Sequence, residues 1–233
     1  MIFGSLFTGI GGLDLGLERA GMRCAWQVEI DPFCREVLQT HWPHAHRHDD
    51  IRTFSPRERE SVDLIIGGFP CQDISRAGTK IGINGPKSSL WSEFARVLCE
   101  AQPKWVVIEN VSDLVSRGLD NVLRDLASLG YNAAWQCFTA CAFGAPHSRD
   151  RLYLIAHTHT DGEPTFPEYE ALARVRPDAR ALWDRWPALP GDLRMAPRLS
   201  SRLDLARLQA LGNSAMPSIS EHIGRAILEI ASC

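Results

Sequence analysis

The sequence has no CxxC pair, no internal repeat and no apolar stretch near the eighteen or so residues that a membrane span needs. Its seven cysteines, at 24, 34, 71, 99, 137, 141 and 233, stand at scattered spacings, and nothing resembling a signal peptide precedes them. That pattern suits a reducing cytoplasm, so a soluble cytoplasmic chain with no membrane partner is expected. Lysine is nearly missing: Lys80, Lys87 and Lys104 stand against 25 basic residues in all. Arginine therefore carries the positive charge, a bias that base composition explains as readily as a preference at contacts. Charge of either sign is also in short supply. A formal net charge of −3 argues against indiscriminate polyanion binding, while leaving room for a local basic stripe.

What is present is a chain of 233 residues, 45% of them hydrophobic, enough for one main domain and a small accessory lobe. "MIFGSLF" reads as a buried strand and "GGLDLGLERAG" switches to helical spacing, with Gly21 placed to end the helix. "CAWQVEI" is a second strand; Asp31 and Pro32 open a helix after it. A short third strand is expected near "RHDDI", and Ser55 with Glu58 has the spacing of a capping box. "VDLIIGGF" has the continuous aliphatic character of a parallel strand buried on both faces. Helix "LWSEFARVLCEAQ", strand "WVVIENV", helix "NVLRDLASLG" and the strands "AAWQCFTA" and "RLYLIAH" follow. Strands alternating with helices predict a doubly wound α/β sheet with right-handed crossovers. From Thr158 to about Ser200 the periodicity dissolves, marking an accessory segment. A helix returns in "SISEHIGRAILEI", with Ser218 and Glu221 as its expected capping box.

In such sheets ligands gather at the carboxyl ends of the strands. Here those ends carry "FTGIGG", "EID", "GGFPCQ" and "ENV". The first is a glycine-rich turn opening a helix, with Gly9 and Gly11, but Asp14 stands where the dinucleotide fingerprint needs a third glycine. Glu29, about 20 residues on, is placed to accept hydrogen bonds from ribose hydroxyls, and the pair suggests a nucleoside cofactor. Cys71 follows a strand, two glycines and Pro70. Buried filler, disulfide half, metal ligand and nucleophile are all open to a lone cysteine; the polar loop after it and the lack of soft ligands nearby favour a nucleophile. Glu109, at the end of the strand expected beside that of Cys71, is a carboxyl whose apolar surroundings would raise its pKa and suit it to protonate a ring nitrogen. Arg149 and Arg151, two apart on a strand, share a face suited to a phosphate or a carboxylate. His41, His44, His46 and His48 lack spaced partners and read as a polar connection rather than a metal site.

Taken in order, these motifs resemble those of the cytosine-C5 DNA methyltransferases of bacteria and phages, from residue 1 to about 157 and again from about 207 to 233. "FTGIGGLDLGLERAG" is similar to the family's first S-adenosylmethionine motif and "EID" to its second. "GGFPCQDIS" resembles the Pro-Cys catalytic motif, "ENV" the glutamate motif, "RDR" the paired arginines and "ALGNSAMP" the late motif that completes the cofactor pocket. The resemblance implies an S-adenosylmethionine-dependent methyltransferase fold, an α/β mostly parallel sheet flanked by helices. It divides the chain into a catalytic and cofactor-binding domain over 1–157, a short target recognition segment over 158–206 and a returning segment with a helix over 207–233.

The activity implied is methyl transfer from S-adenosylmethionine to cytosine C5 in double-stranded DNA, through a covalent Cys71–C6 adduct on a flipped base. Glu109 would act at N3, with Arg149 and Arg151 orienting it and the base. Phe7, Gly9, Gly11, Gly12, Glu29, Ile30, Asp50, Gly68, Asn213 and Ser214 would form the cofactor pocket, Asp50 taking the adenine amine. No metal is implied. A monomer is expected, with a restriction endonuclease as a functional partner in a restriction-modification system or a phage setting. The sequence departs from the family pattern at Ser5, where an acid is frequent, at Ile30, where an aromatic ring is, and at His147, where a glutamine is. The recognition segment is short for reading several base pairs, which keeps an RNA substrate and a cofactor-binding relic as alternatives.

Overall fold

A computed structural model describes residues 1–70, 90–145, 147–158, 167–175, 210 and 214–232. Seven strands form one sheet: β1 (Ile2–Leu6), β2 (Arg23–Val28), β3 (His46–His48), β4 (Leu64–Gly67), β5 (Trp105–Val111), β6 (Tyr131–Thr139) and β7 (Asp150–Thr158). Their order across the sheet is β3-β2-β1-β4-β5-β7-β6. Strand order reverses between β1 and β4, the place where an open sheet leaves a crevice. The first five strands are parallel, while β7 runs antiparallel to both β5 and β6. The sheet is thus mostly parallel, as expected, but its far edge is not doubly wound. Only ten residues join β6 to β7, too few for the helical crossover that a parallel pair usually needs.

Helices cover both faces. Alternation along β4 sends Ile65 toward α3 (Leu90–Ala101) and α5 (Leu119–Ser128), where Phe94, Val97, Val122 and Leu126 are buried. Leu64 and Ile66 face the other way, into a core shared with α1 (Gly12–Arg19), α2 (Pro32–His41) and the final helix, here α7 (Pro217–Ala231). A four-residue turn of helix, α4 (Leu114–Arg117), precedes α5.

The expected local signals act as read in most places. Asp31 caps α2, accepting from the backbone N–H groups of Phe33 (2.8 Å) and Cys34 (3.1 Å). Gly21, at φ 102°, lets the chain leave α1 in the left-handed region while Met22 N–H closes back on the Leu17 carbonyl. Two expectations fail. Ser55 makes no cap bond and only a three-residue 3-10 turn, Pro56–Glu58, follows it. α7 begins one residue before Ser218, because Pro217 takes the first helical position and Met216 stands as N-cap. Ser218 therefore lies inside the helix, and Glu221 pairs with Arg225 instead.

Within the segment expected to be accessory, α6 (Pro167–Arg174) buries Ala171 and Leu172 in the same core as α7 and ties Arg174 to Glu229 at 3.0 Å. Residues 167–175 therefore pack as part of the sheet domain. α7 crosses α1 closely: a side chain at Gly16 would strike the Pro217 carbonyl and Ser220 Oγ, and one at Gly224 would come within 2.9 Å of Ala20 Cβ. The return of the C-terminal segment to the first helix is built on these glycines.

Candidate active site

The ends of β1, β2, β4 and β5 open onto one cleft of about 320 Å³. Phe7, Thr8 and Gly9 form the wall after β1. Phe7 sits at φ 53°, a left-handed conformation that costs a non-glycine residue energy and marks the turn as constrained by its surroundings. Gly9 follows at φ 60°. Its N–H donates to Glu29 Oε2 at 2.7 Å, and Glu29 Oε1 accepts from the Asp31 N–H at 2.8 Å. Each oxygen thus uses one backbone donor and keeps acceptor capacity toward the cleft, which Glu29 lines beside the exposed Ile30. Arg35 fixes this corner by donating to the carbonyls of Glu29 and Ile30.

Gly12 also lines the cleft, for a reason of space. A Cβ there would press into the Ala215 carbonyl and lie 2.5 Å from Ser214 Oγ, so the returning segment can reach the cleft only over a glycine. Ser214 and Ala215 complete the wall on that side. Gly11, expected among the cofactor contacts, is not part of the lining. It is the left-handed N-cap of α1 (φ 83°) and its α-carbon backs onto Trp42 and Leu38. Asp50 is likewise not brought in. Its carboxylate caps the 3-10 turn Ile51–Thr53 through Arg52 N–H (3.0 Å) and pairs with the Arg52 guanidinium at 2.6 Å, and it is not among the residues that line the cleft. Cys71 and Asn213, and the loop after Cys71, lie outside the described residues, although Pro70 lines the cleft immediately before Cys71.

The opposite wall holds the charged groups. Glu109 is buried on β5 beside Gly68, where a Cβ would come within 2.9 Å of Glu109 Oε2. Arg151 Nε lies 3.0 Å from Glu109 Oε1, and Arg149 lines the same wall. Burial pushes the Glu109 carboxyl above its ordinary range, while Arg151 and then Arg149 hold it back. The sequence expectation of a raised acid beside paired arginines is met in direction and placement. Asn110, which the sequence reading passed over, donates to the Phe69 carbonyl at 3.2 Å and so steadies the chain entering Pro70. A second cysteine, Cys34, lines the cleft too. Burial with Glu29 and Asp31 nearby pushes its thiol up to about 12, so it is no nucleophile near neutral pH.

The sequence profile described as C-5 cytosine-specific DNA methylase matches residues 1–180. Among curated relatives, the type II methyltransferase M2.BsuMI of Bacillus subtilis is 36% identical over 165 residues, covering 67% of this chain and 42% of its own length. M.FnuDI of Fusobacterium nucleatum is 33% identical over 196 residues, covering 80% and 56%. The chain thus spans roughly half the length of these relatives, or less. Among solved structures, a putative DNA modification methyltransferase encoded within an Escherichia coli prophage superposes over 100% of both chains, with a TM-score of 0.69 at 17% identity. A Spodoptera frugiperda DNMT2 mutant gives 0.59 at 21% identity over 70% of this chain and 52% of that one. Strand-end motifs, cleft and profile agree, and the chain belongs to the C-5 cytosine-specific DNA methylase family.

Proposed function

We propose that this protein transfers a methyl group from S-adenosylmethionine to C5 of cytosine in duplex DNA, through a covalent bond between Cys71 and C6 of a flipped base. The observation that carries the reading is the Glu109–Arg151 pair, buried in the same cleft as the Gly9–Glu29 contact. One end of the cleft suits a nucleoside and the other a polar ring.

The residues fit the cofactor. Glu29 offers carboxylate lone pairs to ribose hydroxyls, Phe7 and Ile30 offer apolar surface to a purine, and Ser214 closes the far side. Asn213 would join Ser214, and Gly68 serves by leaving room for Glu109. Bound there, S-adenosylmethionine supplies an electrophilic methyl group. The Cys71 thiolate adds to C6 as Glu109 places a proton on N3, so that the displaced ring electrons make C5 an enamine-like carbon. A carboxyl whose hold on its proton is strengthened by burial is suited to that donation, and Arg151 fixes which way it points. Once C5 carries the methyl group, its proton passes to water, N3 returns its proton to Glu109, and Cys71 leaves C6 as the thiolate while the C5–C6 double bond re-forms. The segment 158–206, apart from the packed 167–175, is the candidate for contacts to the duplex.

The test is transfer of labelled methyl from S-adenosylmethionine to a mixture of duplexes, with trapping on DNA that contains 5-fluorocytosine. Wild type should incorporate label and form the adduct, and Cys71→Ser should do neither. Incorporation into tRNA but not into DNA would overturn the substrate, and cofactor binding without transfer to any nucleic acid would overturn the activity.

A further inference from the structure

Beneath the glycine turn, Asp14 is fully buried in the first turn of α1. Ser5 Oγ on β1 donates to its Oδ2 at 2.8 Å, and Gln27 Nε2 on β2 donates to its Oδ1 at 2.9 Å. The Cys24 thiol, 3.8 Å from Oδ1, is a third donor. An ionised carboxylate only accepts, so a shell made of donors fits the anion. The network continues outward: Thr8 Oγ1 donates to Ser5 Oγ at 3.1 Å, and Thr8 lines the cleft. Two hydroxyls therefore stand between the buried carboxylate and the ligand space.

Nothing cationic pairs with Asp14 among the described residues, and the charged neighbour that bears on it, Glu18, is also negative. Helix α1 offers its amino-terminal amides, worth a fraction of a full charge. A buried anion is stable when a positive charge answers it, and its hydrogen-bond network reaches the cleft through Ser5 and Thr8. The geometry points to Asp14 as a positioning residue for the cofactor: its charge, relayed through Ser5 and Thr8, holds the cationic methionine end of S-adenosylmethionine. This rests on the cofactor assigned above. Ser5 is also where the family resemblance leads one to expect an acid, so the carboxylate stands one hydrogen bond away, on α1 instead of β1.

Calorimetric binding of S-adenosylmethionine and of 5′-methylthioadenosine, which keeps the nucleoside but lacks the sulfonium and amino-acid charges, separates charge from shape. Asp14→Asn should weaken S-adenosylmethionine roughly fivefold or more while methylthioadenosine stays within about twofold, since only the charged ligand feels the lost field. Asp14→Ser should behave alike, and the exchange Ser5→Asp with Asp14→Ser should recover most of the affinity. Equal loss of both ligands in Asp14→Asn would mean that Asp14 merely shapes the turn, and no loss of either would also overturn the proposal. A folded double variant that recovers nothing overturns it as well; if that variant does not melt cooperatively, Asp14→Asn decides. Wild-type protein that binds no S-adenosylmethionine would overturn the cofactor assignment and this inference with it.

Discussion

Arg151 and Glu109 meet across the antiparallel pair β5–β7 as diagonal neighbours. Glu109 is registered with Tyr153 and Arg151 with Val111, so both side chains lie on one face, Nε to Oε1 at 3.0 Å. Had β7 run parallel, this diagonal would not exist. The antiparallel edge that breaks the doubly wound pattern is what brings the paired-arginine motif to the glutamate.

Glu109→Gln keeps the size of the side chain and removes its proton. The expected result is a fall in single-turnover rate of about 10²- to 10⁴-fold with DNA binding retained, as for loss of a general acid. A wild-type profile that uses the neutral carboxyl declines as pH rises through the raised pKa, and that limb should vanish in the variant. A Gln variant at wild-type rate would remove Glu109 from the chemistry.

Arg151 lowers the Glu109 pKa and aims its carboxyl. In Arg151→Met the carboxyl loses the larger of its two opposing charges, so its pKa rises further and the basic limb of the pH–rate profile moves to higher pH. The maximal rate should drop at the same time because the acid is no longer held in place. Arg151→Lys keeps the charge without the planar fork and should fall between. An unmoved limb in Arg151→Met would show that the ion pair does not set the profile.

Gly12→Ala adds one methyl group against the Ala215 carbonyl and Ser214 Oγ. A backbone carbonyl cannot swing aside as a side chain does, so segment 214–215 must shift. The expected cost is about 1–3 kcal/mol in unfolding free energy. Cofactor affinity should fall more than in Gly21→Ala, where the added methyl meets nothing within 4 Å and the left-handed φ is the only strain. Equal cofactor affinities in the two variants would contradict the role given to the returning segment.

The parts of this site that were legible in sequence are those fixed by where a strand stops. Glu29 and Glu109 end strands whose aliphatic runs are unmistakable, and the sheet carries them to one edge. Asp50 follows a strand too, but a flexible arginine two residues on claims its carboxylate, and sequence spacing says little about which way a short turn faces. The start of α7 misled because Ser218 and Glu221 have capping-box spacing inside the helix, where Pro217 had already fixed the first position. Asp14 is the instructive miss. In the sequence it appears only as a failed glycine, since its partners Ser5 and Gln27 lie on two other elements and become neighbours only in the folded sheet.

Asp14 also gives the fold a pH dependence whose sign is fixed. Burial raises its carboxyl from 3.8 to about 6, against the smaller lowering effects of Gln27 and Ser5. Between those values the folded state holds a proton that the unfolded state has released. The contribution is therefore fully present below pH 3.8 and is lost as pH rises through about 6. That shift corresponds to about 3 kcal/mol. Other groups titrate in the same range, so the informative quantity is the difference between wild type and Asp14→Asn in denaturant unfolding at each pH. Asparagine fills the same space, and its fixed hydrogen-bonding cost is constant with pH. Relative to wild type, the variant should gain about 2 kcal/mol between pH 4 and pH 7, most of it before pH 6. A difference that stays flat across that range would mean that burial does not raise the Asp14 carboxyl and that the fold carries no pH dependence from this residue.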